Sequence, residues 1–131
     1  IFRGVLQCLS DPKAKLELAR NLLTDGGTIF IASVPNTDSF CFNLYREKWN
    51  LFRPREMLNY FRLEHFEEYA RANGFRLLFA EYPYLDTPYA NPNLDIHRVA
   101  KALEYKTIGR RLEEESPPFW GNLISLALAE S

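Results

Sequence analysis

The sequence predicts an α/β fold on three observations. An amphipathic stretch opens with Ser10-Asp11-Pro12 and closes with Asp25-Gly26-Gly27. A continuous β-branched and apolar run, Thr28–Val34 (TIFIASV), follows at once. The alternation then returns: a helical period over Leu63–Asn73, a stop at Gly74 and an apolar run over Phe75–Tyr84. Helices and strands that alternate in this way belong to one sheet with helices packed on it.

Taken in order, Ile1–Leu6 reads as the tail of a buried strand running into a loop. Asp11 caps the first helix and Pro12 suits its first position, where no amide donor is needed. Leu16, Ala19 and Leu23 fall on one face of that helix, widened by Leu18 and Leu22. Gly26-Gly27 supplies the left-handed stop. Thr28–Val34 does not alternate, so it is expected to be covered on both faces, with Pro35 and Asn36 ending it. Thr37–Tyr60 reads as irregular and ring-rich, with Pro54 breaking any long helix. Leu63, Phe66 and Ala70 share a face of the second helix. Asp86–Asn93 is a Pro/Asn-rich loop. Leu94 to about Glu115 is helical, with Ile96, Val99, Ala100 and Leu103 in register and Gly109 a possible interruption. Ser116-Pro117-Pro118 is a turn, and Asn122–Ala129 (NLISLALA) is the last strand. Periodicity does not say whether the last two strands run parallel or antiparallel.

Composition narrows the function classes. The chain has 131 residues, 47% hydrophobic and 25% charged, as in a folded domain. Its net charge of -1 lacks the basic excess of a nucleic-acid binder, so no nucleic acid is expected as a partner. No apolar run nears the about 20 residues that span a bilayer, so no membrane is expected either. Cys8 and Cys41 form no C-x-x-C and no disulfide framework, which points to a reducing cytoplasm.

His65 and His97 have no partners at metal-ligand spacing and read as surface residues, so no metal is expected. No G-x-S-x-G elbow is present. Cys8 reads as a packed cysteine. Gly26-Gly27 lies between a helix and a strand, the wrong order for a phosphate loop. The runs Glu113–Glu115 and Glu67-Glu68 read as solvated. Ligands of open α/β sheets sit beyond the carboxyl ends of parallel strands. Here Arg3 and Gln7 offer polar groups at the first strand end, and Gly4 admits a ligand to the backbone. Asn36 and Asp38 do so at the second end, next to the ring-rich segment that holds Phe40, Tyr45, Trp49 and Tyr60. Those rings either wall an apolar substrate or cover the sheet edge.

Three segments are familiar in order and spacing: Gly4-Val5-Leu6-Gln7-Cys8-Leu9-Ser10-Asp11-Pro12, then Asn21–Gly27 (NLLTDGG), then Ile31–Asn36 (IASVPN). Together they resemble the second half of class I S-adenosylmethionine-dependent methyltransferases, which read V-L-E-H-L, Asp-Pro, L-L-K-P-G-G and V-P-N there. Pro54–Phe61 resembles the H-L-x-x-F of a bacterial branch, and Glu68–Phe75 its L-L-x-x-x-G-F. The likeness runs along most of the chain and thins after Tyr84.

The resemblance implies a partial Rossmann-like sheet with strands equivalent to the family's fourth to seventh and helices flanking it. The last strand would lie antiparallel between the fifth and sixth. Residues 1–131 would be the C-terminal part of one methyltransferase domain, without its cofactor-binding N-terminal half. The start at Ile1, with no initiator Met, fits that expectation. Arg3, Gly4 and Val5 would line the methionine end of S-adenosylmethionine, and Gln7 and Cys8 would face methyl transfer. Asn36, Tyr45, Trp49 and Tyr60 would meet a small-molecule acceptor.

The departures are specific. Gln7-Cys8 stands where the family has Glu-His, and Met57 where it has His. The family's Gly-rich loop and ribose-binding acid are not among these residues. The expected activity is therefore methyl transfer in a full-length parent, with this chain inactive alone. The alternative is a non-catalytic interaction or dimerisation module. The missing strands would leave residues 1–6 as an open edge, a route to a homo-oligomer, and would strip helices from one sheet face. The helix at 94–115 is expected to cover part of that face.

Overall fold

The computed structural model describes all residues from Ile1 to Ser131. Four strands form one mixed sheet: β1 (Phe2–Arg3), β2 (Thr28–Pro35), β3 (Phe75–Glu81) and β4 (Leu123–Glu130), in the order β1-β2-β4-β3. β1 and β2 are parallel, and β4 is antiparallel to both of its neighbours. The helices are α1 (Pro12–Asn21), α2 (Phe40–Tyr45), α3 (Leu63–Ala72) and α4 (Pro92–Thr107). The α/β class expected from the sequence is therefore the observed one. No helix is long and apolar enough to cross a membrane.

The start of α1 follows its sequence. The Asp11 carboxylate accepts the Ala14 amide at 3.0 Å, and Pro12 takes the first turn. Its end does not. The helix stops at Asn21, well before the glycines, and Leu18 and Leu22 point to solvent instead of widening the buried face. Gly26 and Gly27 instead build the turn into β2. Gly26 has φ +75°, and a Cβ on Gly27 would lie 2.9 Å from the Thr24 carbonyl oxygen. No side chain fits at the second position.

Two bulges decide which strand residues face the core. In β2, Ile31 pairs with Leu126 and Val34 with Ile124, so β2 holds one extra residue. Ser33 absorbs it at φ 59°, and its amide donates to the Ser125 hydroxyl at 3.1 Å. The extra residue resets the alternation, so that Val34 and not Ser33 turns inward. In β3 the register shifts between Leu77 and Phe79 and leaves Leu78 exposed.

One core lies between the sheet and helices α1 and α3. Ile29, Ile31, Ile124, Leu126 and Leu128 meet Leu16, Phe66 and Ala70 there. Each fully buried aliphatic side chain contributes about 1.5–3 kcal/mol. Both helices thus cover the same sheet face. On the other, Phe30 and Phe79 flank Ala127 with their rings 6.0 Å apart, and Phe79 is 45% exposed. The expectation that β2 is covered on both faces is corrected: its exposure alternates, and only one face carries helices.

A second core sits outside the sheet. Cys41, Leu44, Tyr45 and Trp49 pack against Val99 and Ala102 of α4. This changes two readings. The ring-rich segment is not irregular throughout, because Ser39 caps α2 by accepting the Phe42 amide at 3.0 Å. And α4 does not cover the bare sheet face. It begins at Pro92 and ends at Thr107, and its buried residues are Asp95, Val99 and Ala102. Ile96, Ala100 and Leu103 are exposed. β1 is likewise not a buried strand: Phe2 is half-buried and Arg3 exposed, so the open edge is two residues long.

Candidate functional site

β1 and β2 run parallel and point their carboxyl ends the same way, as a ligand site on a parallel pair requires, but Arg3 at the end of β1 lies opposite Ala32, three residues before β2 ends at Pro35. Arg3, Gly4 and Val5 are exposed there. The Gly4 amide donates to the Ala32 carbonyl at 3.0 Å, and Gly4 holds φ +62° with open space where a Cβ would stand. The chain then turns into a 3-10 helix, Leu6–Cys8, that buries Leu6 and Gln7 and leaves Cys8 exposed. Gln7 and Cys8 therefore face different surroundings and are not a side-by-side pair. The favoured reading of Cys8 as a packed cysteine is corrected by its exposure.

Gln7 is fixed through its backbone, whose carbonyl accepts the amides of Leu58 (2.8 Å) and Asn59 (3.0 Å). The Asn59 side chain donates to the carbonyls of Leu6 (3.3 Å) and Leu9 (2.6 Å). These bonds tie the 57–60 segment to the first strand end. The Gln7 side-chain oxygen is buried without a partner. Such an atom costs about 1–3 kcal/mol unless something donates to it.

Asn36 is 3% exposed, and its side chain is engaged at both ends. Its Nδ2 donates to the Gly121 carbonyl at 2.8 Å and its Oδ1 accepts the Asp38 amide at 2.9 Å. It locks the end of β2 to the start of β4. Tyr45, Trp49 and Tyr60 do converge on one cluster, with Tyr60 packed at its margin. Trp49 is only 1% exposed, with an edge-on contact to Phe42 at 5.1 Å and its indole nitrogen unpartnered. Tyr45 donates to the Arg98 carbonyl at 3.3 Å. Of the three rings, Tyr60 borders an open groove of ≈ 750 Å³ between α1 and α3. Its hydroxyl accepts the Arg53 amide at 3.0 Å.

Burial pushes the Cys41 thiol up to about 12, with the Asp95 carboxylate adding to it and Arg98 opposing. Burial, and then Cys41, raises the Tyr45 phenol to about 12. Neither is a nucleophile or base at neutral pH. Asp95 is the buried carboxylate that sequence reasoning missed. Its Oδ2 accepts the Tyr84 hydroxyl at 2.6 Å and the Asn91 amide at 3.2 Å, which ties the 82–91 loop to the start of α4. Asn91-Pro92, a cap followed by proline four residues before an acid, was the readable sign of it. His65 and His97 are exposed, and His65 accepts the Arg62 amide at 3.2 Å through Nδ1. No group of three or more His, Cys, Asp or Glu is placed to hold a metal ion.

No family model matches this chain, and no curated protein matches it.

Proposed function

We propose that this chain forms the acceptor-side wall of a class I S-adenosylmethionine-dependent methyltransferase. One observation carries the reading: the last strand enters antiparallel between β2 and β3, giving the order β1-β2-β4-β3. That order is compatible with the fourth, fifth, seventh and sixth strands of the family that the motifs resemble. In this reading Arg3, Gly4 and Val5 lie along the methionine end of the cofactor. Gln7 is buried behind the transfer site, and Cys8 offers an open surface beside it. Asn36 fixes the second strand end, and Tyr60 forms part of the wall, with Tyr45 and Trp49 packed behind it.

With no ionisable base at Gln7, methyl transfer by this site would rest on proximity and in-line orientation of a small acceptor. In this reading the family's Gly-rich loop and ribose-binding acid would have to come from outside these residues. Calorimetry separates the parts. S-adenosylmethionine should bind the complete domain in the micromolar range and this chain weakly or not at all. Micromolar binding to this chain alone, or none to the complete domain, would overturn the assignment.

A second reading, a dimerisation module, is favoured by the free side of β1, which pairs only with β2. Light scattering of this chain distinguishes it. A dimer lost on substituting Arg3 with Pro supports edge pairing, and a clean monomer removes it.

A further inference from the structure

The sheet ends in two free edges, and they are unequal. β1 offers two residues, Phe2–Arg3, while β3 offers seven, Phe75–Glu81 (FRLLFAE), paired only with β4. Proteins blunt an exposed edge with Lys, with Pro or by keeping the strand very short. β3 has none of these, and Leu78 and Phe79 at its middle are 43% and 45% exposed.

The bulge in β3 sets which of its side chains share a face. Arg76, Phe79 and Glu81 lie opposite Ala129, Ala127 and Ser125, alternate residues of β4 and so one face, the one without helices. Leu77 and Ala80 lie opposite Leu128 and Leu126 on the core face. In an unbroken strand Arg76 and Glu81, five residues apart, would fall on opposite faces. The extra residue brings them to the same one.

Consider a second copy laid antiparallel along this edge, on a two-fold axis between Leu78 and Phe79. Arg76 then stands opposite Glu81 of the second copy, on one face, and Leu77 opposite Ala80, on the other. Leu78 meets Phe79, and the two bulges coincide. Opposite charges at directly opposed positions stabilise a strand pair, and like charges oppose it. Neither Arg76 nor Glu81 has an ion-pair partner within its own chain.

We propose that the free edge of β3 is the docking surface for a second copy of this chain, paired in this register with two Arg76–Glu81 ion pairs. One strand pair is a small contact, so the dimer is transient and concentration-dependent. No residue assigned to cofactor or acceptor takes part, and the edge is not that of β1, so the proposal is independent of both readings above.

Sedimentation equilibrium at low salt, with the chain at up to about 1 mM, tests it. The unsubstituted chain should dimerise. Arg76→Glu and Glu81→Arg each set like charges against each other at both ends and should weaken the dimer several-fold. Both side chains are exposed, so neither substitution disturbs the core. Mixed one to one, the two variants should pair as tightly as the unsubstituted chain, because every opposed pair is again Arg with Glu. Arg3→Pro should leave the dimer unchanged. A monomer throughout, single variants that dimerise as well as the unsubstituted chain, a mixture as weak as its parts, or a dimer lost through Arg3→Pro would each overturn the proposal.

Discussion

Trp49 shows how differently a ring reads in a sequence and in a packed chain. Among Phe40, Tyr45 and Tyr60 it suggested a substrate wall, yet it is 1% exposed and sits at the centre of the second core. Spacing cannot separate the two roles, because both need large apolar side chains near a strand end. Trp49→Ala should therefore cost about 3–5 kcal/mol of stability, read from urea denaturation. A small loss of stability with a weakened acceptor would restore the substrate role. Protonation gives a second residue-level prediction. Cys41 moves from 9.0 to about 12 in the fold, and Tyr84 from 10.0 to about 12, through burial first and then the bond to Asp95. The unfolded chain loses these protons earlier than the folded one. Their contribution is whole below pH 9 and is lost as pH rises towards 12. The urea midpoint should fall between pH 8 and pH 11, and Cys41→Ala should flatten the first part of that fall. A level midpoint would contradict the burial of these groups.

Elements were legible where punctuation and period agree. Asp11-Pro12 gave the start of α1, Gly74 the stop after α3, and the apolar run at 123–129 the last strand. Elements were missed where a short helix rests on one cap. α2 is six residues long and depends on Ser39, whose hydroxyl is buried and accepts the Phe42 amide. Ser39→Ala should destabilise the chain by about 1–2 kcal/mol, and Ser39→Asp should recover part of it, both read from thermal melts. Equal stability of Ser39→Ala would show that packing alone holds α2. The long helix was misread because its exposed apolar residues, Ile96 and Leu103, mimic a buried face. The residues it buries include Asp95, whose partner Tyr84 lies eleven residues upstream in the loop before the helix, where helical spacing says nothing.

At the scale of the whole molecule, the sheet carries both helices of its core on one face and leaves Phe30 and Phe79 on the other. The direction of β4 was beyond periodicity, since an apolar strand reads the same both ways. Its place between β2 and β3 agrees with the arrangement expected from the order of motifs. In the proposed domain the bare face is the one the family's first helices would cover. Phe79→Ser should then change the melting point of this chain little, because the ring is 45% exposed. The same substitution should destabilise the complete domain by about 3–5 kcal/mol, as loss of a buried aromatic does. Equal effects in both would argue against a covered face.

In the proposed assignment the site residues of the first strand end are Arg3, Gly4 and Val5, exposed where β1 leaves β2 at Ala32, with Gln7 buried behind them. Ultraviolet cross-linking of methyl-labelled S-adenosylmethionine to the complete domain, followed by peptide mapping, tests it most directly. Label is expected on the peptide that contains Arg3–Cys8. Efficient labelling confined to peptides outside residues 1–60, or protection of none of them by excess unlabelled cofactor, would contradict it.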